Sequence, residues 1–381
     1  MMAFSLKLPA KIIFGRGKRT EAVDEICRLG KRIVLVRGRS VAWADTLQDD
    51  LRKKGAMVET VVSMGEPSFP DLVAALDNIR TLAPDCVVAV GGGSAIDLGK
   101  ALAALAQGAA DPLVHFEIVG DGRSLDRAPL PFVAIPTTAG TGAEATKNAV
   151  ISFPEHRRKV SLRDDRMLAD LALIDPALTD DCPHTVTLSS GLDALTQVIE
   201  PFVSSRANIL TDALCREAIP RAIGALAQLM EEEKPAARDD MARASFFGGI
   251  ALANAGLGAV HGIAGVVGGR SNAGHGALCG RLLPGVLLAN QAAASGNTAL
   301  IERLGAVADW LGAALGVARA DAFSALEKRI DDWGLSHLSA MGFDPNDCDE
   351  TARLAQSSSS MAGNPVTLSH EALIRILRHA L

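Results

Sequence analysis

The first half of the chain alternates short apolar runs, often β-branched, with stretches whose apolar residues recur at helical spacing. The apolar runs predict four strands, at residues 31–36, 57–62, 85–90 and 131–136. The spacing between them predicts helices over residues 45–54, 70–82 and 95–106. Strands that alternate with helices are typical of βαβ units, so we expect a parallel sheet.

The pattern changes in the second half of the chain. From about Asp181 the strand-like runs stop, and Ala- and Leu-rich helical segments follow one another to Leu381. Because Pro176 closes the last extended piece, we predict an α/β domain over residues 1–180 and an all-α domain over 181–381. A site that both domains share is expected in the cleft between them.

One helical stretch has the composition of a membrane span. Residues 244–269 carry no formal charge and are numerous enough to cross a bilayer. The run also contains Ser245, Asn254, His261 and eight glycines, and no second span accompanies it. We therefore expect a buried helix that carries a polar site, and no membrane partner.

Composition excludes several classes of function. The 381 residues are 48% hydrophobic, which is enough for a large core, and 38 basic against 44 acidic residues give a net charge of −6. That charge offers no electrostatic footprint for nucleic acid. With no tyrosine in the chain, catalysis by a tyrosine hydroxyl is excluded. The six dispersed cysteines and the absence of a signal-like opening predict reduced thiols in the cytoplasm.

Two polar loops follow predicted strands. The first, Gly91-Gly-Gly-Ser94, leads into a helix, and its backbone N–H groups suit a phosphate. A tight turn that binds nothing needs fewer than three consecutive glycines, so phosphate binding is favoured. The second, residues 136–142, offers hydroxyls for a phosphate, a ribose or a nicotinamide amide, or for capping the next element. Together they predict a nucleotide site.

The helical half contains candidate metal ligands. Asp193 and Gln197 stand four residues apart and so share one helix face, and His275 follows His261 by fourteen residues. A carboxylate with two imidazoles is a ligand set for Zn²⁺ or Fe²⁺. Spacing alone favours the alternative of a structural histidine and an ordinary aspartate, because nothing local brings these residues together.

Seven motifs in order make the chain resemble the iron-containing (group III) alcohol dehydrogenases over nearly its whole length. They lie at residues 9–17, 91–97, 136–142, 174–176, 191–200, 260–262 and 363–365. The resemblance implies a dehydroquinate synthase-like architecture, with an α/β dinucleotide-binding domain and a helical metal-binding domain. It also implies reversible hydride transfer between a small alcohol and NAD or NADP, giving an aldehyde or ketone, and a homo-oligomer.

The resemblance assigns roles to particular residues. It implies that the pyrophosphate is held by Gly92, Gly93, Ser94 and Asp97. The remaining cofactor contacts match Thr137, Thr138, Thr141 and Lys159, the last at the nicotinamide ribose. Three of the four family metal ligands match Asp193, His261 and His275.

The metal site departs from the family pattern at two positions. The fourth ligand, usually histidine, is Gln197, whose neutral carbonyl binds transition metals more weakly. A histidine that often relays the proton, four residues after His261, is Gly265 here. Because relatives of the glycerol dehydrogenase type use zinc with one Asp and two His, we expect zinc first and iron second, with Gln197 or water as fourth ligand.

The ribose end of the cofactor site departs as well. NAD-preferring relatives carry an aspartate after the first strand, where this chain has Gly38 between Arg37 and Arg39. Loss of the carboxylate and gain of guanidinium favour a 2′-phosphate, so NADP is preferred over NAD. The alternative is that both arginines are solvated surface residues.

Three other functions compete with an alcohol dehydrogenase. A dehydroquinate-synthase-type lyase shares the architecture but needs a basic cluster for its acidic substrate, which the helical half lacks near the proposed ligands. The two replaced histidines also fit a maleylacetate-reductase-like oxo-acid reductase, or a protein that binds nucleotide without catalysis.

Overall fold

The structure, a computed structural model, describes residues 4–108, 111–271 and 273–381. They form two compact units. One consists of Lys7–Thr138 and Gly142–Asp180, and the other of residues 4–6, Ala139–Thr141 and Asp181–Leu381. The short segment Ala139–Thr141, which the sequence assigns to the first domain, therefore belongs to the helical unit.

A six-stranded parallel sheet organises the first unit, in the strand order β1-β8-β5-β4-β2-β3. A separate antiparallel pair is formed by β6 and β7. The strands are β1 (Lys11–Phe14), β2 (Arg32–Gly38), β3 (Met57–Ser63), β4 (Cys86–Gly91), β5 (Phe132–Pro136), β6 (Asn148–Phe153), β7 (Arg158–Arg163) and β8 (Leu171–Ile174). Every residue of β4 and β5 is buried, as expected of central parallel strands covered on both faces.

Helices connect the strands of this unit. They are α1 (Ala22–Leu29), α2 (Trp43–Lys53), α3 (Phe69–Arg80) and α4 (Gly93–Leu105). The four strands and three helices predicted from the pattern are confirmed, with ends that differ by no more than two residues. The pattern missed α1, the strands β1 and β8, and the β6–β7 pair, although it indicated an extended piece that ends at Pro176.

The second unit is built from helices around one apolar core. Its helices are α5 (His184–Val203), α6 (Ile209–Glu231), α7 (Pro235–Ala255), α8 (Ala259–Val267), α9 (His275–Ala293), α10 (Thr298–Leu315), α11 (Ala322–Asp332), α12 (Cys348–Gln356) and α13 (His370–His379). The predicted fold class, a parallel α/β domain with an all-α domain, is confirmed.

The uncharged run 244–269 is not the single helix that the sequence predicts. It is divided between α7 and α8, which meet at a bend of 99°. The glycines at 256 and 258 lie in the break, and Gly256 adopts a φ of +71° that other residues rarely adopt. Within the described ranges no single helix has the length and apolarity of a membrane span, although this bent pair passes the same test when taken together. The bend places His261 on the short helix α8.

Candidate metal centre and cofactor-binding elements

Two glycines bring helix α9 unusually close to α5. A Cβ at Gly276 would lie 2.3 Å from the carbonyl oxygen of Ser189, and one at Gly280 would lie 2.6 Å from Leu192 Cδ1. Residues four apart share one helix face, so both glycines face α5. Their lack of side chains allows the first turns of α9 to lie directly beside Asp193.

Four potential metal ligands meet at this contact. The ligand atoms of Asp193, His261, His275 and Cys279 all lie within 4.8 Å of one another. The Oδ1 atom of Asp193 is 3.5 Å from His261 Nε2 and 4.0 Å from His275 Nε2. The Sγ atom of Cys279 is 3.6 Å from His275 Nε2. Spacing alone did not predict that these residues meet, and the structure brings three of the four predicted ligands together with a cysteine that was not predicted.

Two buried atoms of this cluster have no hydrogen-bond partner among the described residues. They are Asp193 Oδ1 and His261 Nε2. A buried polar atom left unpaired costs about 1–3 kcal/mol, so such atoms require a reason. Carboxylate, imidazole and thiolate groups are the donors that Zn²⁺ prefers, and the residues present therefore fit a divalent cation.

Glu200 holds His261 in the form that a metal requires. Its Oε2 accepts from His261 Nδ1 at 2.6 Å, and its Oε1 accepts from the Val260 N–H at 2.7 Å. In the neutral imidazole the proton then lies on Nδ1, and the lone pair on Nε2 faces Asp193. Glu200 lies in a motif that the sequence singled out, but its role was missed. Its spacing of seven residues from Asp193, two turns of α5, is the signal that points to it.

The buried negative groups of the cluster favour protonated histidines. Burial alone lowers the pKa of His275, but Cys279 and Asp193 outweigh it and raise this pKa to about 9. Burial likewise opposes a charged His261, yet Cys279, Asp193 and Glu200 raise its pKa well above the usual value. Burial raises the pKa of Asp193, and the two histidines reverse the effect and lower it. The negative groups that favour protonated histidines here also favour a bound cation.

Gln197 is buried beside the cluster, and its side-chain nitrogen donates to the Thr141 carbonyl at 2.6 Å. That bond fixes the amide, and coordination by its oxygen stays a prediction. At Gly265, an added Cβ would meet no atom of the described residues within 4 Å, so they leave room where the family has its relay histidine.

The two predicted phosphate loops lie together at the carboxyl edge of the sheet. Strands β4 and β5 are neighbours, and the Thr137 N–H donates to the Gly91 carbonyl at 2.9 Å. A Cβ at Gly92 would lie 3.2 Å from Thr138 Oγ1. A Cβ at Gly91 would lie 3.1 Å from the Gly38 nitrogen, which places Gly38 at the same edge. Because Gly93 and Ser94 begin α4, the free N–H groups of its first turn lie at this edge as well.

The remaining predicted cofactor residues are already engaged. Asp97 accepts from the Val150 N–H at 3.1 Å and so ties α4 to β6. Lys159, on β7, forms an ion pair with Glu66. Thr141 belongs to the helical unit, where its carbonyl is bonded to Gln197. Their roles toward a cofactor stay predictions.

The two arginines around Gly38 differ in their surroundings. Arg37 is mostly buried, pairs with Asp45, and donates to the Val41 carbonyl at 2.7 Å. Arg39 is exposed, and within the described ranges it has no ion pair. Arg37 therefore stabilises its own loop, and only Arg39 is available for an external anion.

A parallel sheet with a glycine-rich loop at its carboxyl edge, followed by a helical unit with a buried carboxylate, imidazole and thiol cluster, is typical of a metal-dependent, nucleotide-binding enzyme. Residues 9–176 match the family profile "Iron-containing alcohol dehydrogenase", and residues 187–381 match "Fe-containing alcohol dehydrogenase family, C-terminal". The chain belongs to the iron-containing alcohol dehydrogenase family.

Individual relatives agree over nearly the whole chain. Lactaldehyde reductase of Escherichia coli (strain K12) is 31% identical over 96% of this chain and 97% of its own length. The NAD-dependent methanol dehydrogenase of Bacillus methanolicus is 28% identical over 98% of this chain and 99% of its own. Among solved structures, a 1,3-propanediol oxidoreductase superposes with a TM-score of 0.89 at 29% identity, covering all of both chains.

Proposed function

We propose that this dehydrogenase interconverts a small alcohol and its aldehyde or ketone by hydride transfer with NAD or NADP. Residues 1–180 bind the nucleotide in this proposal, and residues 181–381 hold the metal. The main observation behind the proposal is that Asp193 Oδ1 and His261 Nε2 are buried and have no hydrogen-bond partner among the described residues. His275 belongs to the same cluster of potential metal ligands. Family membership and the names of the relatives support the same reaction class.

The chain's own groups prepare the reaction in three ways. Glu200 fixes the His261 tautomer, and the close contact of α9 with α5 sets the ligand spacing. The N–H groups at the start of α4 are positioned for the pyrophosphate. A divalent cation bound to the cluster supplies Lewis-acid polarisation of the substrate oxygen.

Proton transfer needs a different route from the usual family relay. Gly265 has no side chain to accept the alcohol proton, and its surroundings are open. We assign this proton to water at the metal site, to a ribose hydroxyl of the cofactor or to a group of the substrate.

For the cofactor we propose NADP ahead of NAD. The argument rests on Gly38, which offers no carboxylate to a ribose 2′-hydroxyl, and on Arg39, which is exposed and forms no ion pair with a described residue. A guanidinium suits a 2′-phosphate because it binds phosphate oxygens with two parallel hydrogen bonds.

We also propose a cytoplasmic homo-oligomer. All six cysteines are unpaired, which agrees with a reducing compartment. Light scattering on the purified protein measures its mass and tests the oligomer.

The test combines metal content with substrate specificity. Purified protein is analysed for bound metals, and initial rates with NADPH and NADH are measured against aldehydes, ketones and oxo-acids. We expect one divalent ion per chain, faster turnover with NADPH, and loss of both metal and turnover in His261→Ala. Full activity of metal-stripped protein would contradict the proposal, and a preference for oxo-acids would assign the chain to the oxo-acid reductases instead.

A further inference from the structure

We propose that Cys279 is the fourth protein ligand of the metal. It would replace the ligand that is usually a histidine in the family and is Gln197 in this chain. The inference rests on the proposed metal site and identifies one further residue of it. Cys279 is fully buried, and its sulfur lies in the same cluster as the Asp193, His261 and His275 ligand atoms.

The position of the sulfur matches that of a ligand which shares one metal ion with His275, and the substrate oxygen would take a fifth position, to which catalytic zinc sites can expand. A metal bound to sulfur at about 2.3 Å and to nitrogen at about 2.0–2.1 Å separates the two ligand atoms by about 3.6 Å. The Sγ atom of Cys279 lies 3.6 Å from His275 Nε2. The two residues are four apart on α9, so the helix itself presents both ligand atoms on one face.

Gln197 competes poorly for the same position. Its side-chain nitrogen is committed to the Thr141 carbonyl at 2.6 Å, which fixes the amide plane. An amide oxygen is also a weaker ligand for zinc or iron than a thiolate. Because this bond prevents the amide from rotating, the Gln197 oxygen could bind the metal only from its present orientation. The Cys279 sulfur already lies among the other ligand atoms.

The charge of the ligand set agrees with this assignment. One aspartate and one thiolate carry two negative charges, and the two imidazoles bind a metal in their neutral form. A divalent cation neutralises this set, which matters because Asp193, His261 and Cys279 are buried. Thiolate coordination also favours zinc over ferrous iron, since sulfur is the softer ligand.

Zinc-edge X-ray absorption of the zinc-loaded, full-length protein tests the proposal directly. We expect a sulfur shell at about 2.3 Å beside nitrogen and oxygen at about 2.0–2.2 Å. This measurement needs no variant, so it does not depend on whether a substituted protein folds. Cobalt-substituted protein gives a second readout, because thiolate coordination produces a near-ultraviolet charge-transfer band.

Variants then locate the sulfur. Cys279→Ala is expected to lose the charge-transfer band, while Cys215→Ala, an equally buried cysteine on α6, retains it. Gln197→Ala is expected to retain it as well. Circular dichroism confirms that each variant is folded.

The outcomes separate this inference from the proposed function. Zinc bound only by nitrogen and oxygen, or a band that persists in folded Cys279→Ala, overturns the thiolate ligand and leaves the dehydrogenase proposal standing. Failure of the wild-type protein to bind zinc, cobalt or iron overturns both. A band that is lost only in Cys279→Ala supports the assignment.

Discussion

Substitution of Glu200 by glutamine tests how His261 is prepared to bind a metal. The carboxylate accepts two hydrogen bonds, from His261 Nδ1 at 2.6 Å and from the Val260 N–H at 2.7 Å. An amide of the same shape has one acceptor and one donor, so it cannot accept both. When its NH₂ group faces the imidazole, it favours the tautomer with the proton on Nε2, and Nε2 then has no lone pair to bind the metal.

The size of the effect follows from these two bonds. Loss of a group that orients a ligating histidine typically weakens metal binding by about 10- to 100-fold. That range corresponds to about 1.4–2.8 kcal/mol of binding free energy. Stability of the metal-free protein is expected to fall as well, by about 1–3 kcal/mol, because one buried donor loses its acceptor. Metal affinity and metal-free stability are separate measurements and distinguish positioning from general destabilisation.

Zinc affinity is measured by competition with a chromophoric chelator, and the unfolding of metal-free protein is followed by circular dichroism. Glu217→Gln is the matched control, because Glu217 lies on the surface of α6 and pairs with Arg221. We expect unchanged zinc affinity in the control and a loss of at least tenfold in Glu200→Gln. Wild-type zinc affinity in a folded Glu200→Gln variant would refute the role assigned to this carboxylate.

Three further substitutions test the glycines and the exposed arginine. Gly276→Ala is expected to destabilise the fold by about 1–3 kcal/mol and to weaken zinc binding, because the added Cβ meets a backbone carbonyl. The control in both assays is Gly274→Ala, whose Cβ meets no described atom within 4 Å. Arg39→Ala is expected to raise the KM for NADPH at least about tenfold, because the guanidinium would make two charge-assisted hydrogen bonds and each is worth about 1.5–3 kcal/mol. The KM for NADH is expected to stay unchanged, and equal changes for both cofactors would exclude a 2′-phosphate contact. Gly265→His is expected to raise kcat/KM and to add a pH dependence near about 6.5; a pH–rate profile identical to that of Gly265→Ala would show that no proton acceptor is missing there.

The central strands of the α/β unit are predictable because strands that are buried on both faces consist of apolar residues. Strands β4 and β5 are buried throughout and read as continuous apolar runs between glycine and proline. The edge strand β1 is half-exposed and only four residues long, so its pattern does not differ from that of a loop. The β6–β7 pair alternates buried with exposed or half-exposed residues and carries polar side chains, which weakened the apolar signal on which the prediction relied.

The uncharged run at 244–269 shows a limit of composition. The absence of charge correctly indicated that the run is buried, but the same composition is compatible with one long helix or with two helices that meet at a bend. The glycines at 256 and 258 decide between these, whereas four other glycines of the run lie inside α7 or α8 without breaking them. The bend could therefore not be predicted from glycine content, because it depends on which glycine adopts a positive φ.

The candidate metal site was predicted in part. Asp193, His261 and His275 followed from family motifs, since their separation along the chain gives no local reason for contact. Glu200 and Cys279 were missed, although each has a signal. Glu200 follows Asp193 by two helical turns, and Cys279 follows His275 by one. Helical periodicity measured from a suspected ligand, rather than from apolar residues, would have found both.

Coordination by Cys279 would also change which helix supplies most of the metal ligands. The family pattern takes two ligands from the helix that is α5 here, at positions 193 and 197, and one from α9. With Cys279 as a ligand, α9 supplies two and α5 only one. A small displacement of α9 then disturbs two metal bonds, and Gly276 is one of the two glycines that allow α9 to approach α5. Gly276→Ala should therefore weaken zinc binding more than Gln197→Ala does, and the reverse order would place the fourth ligand on α5.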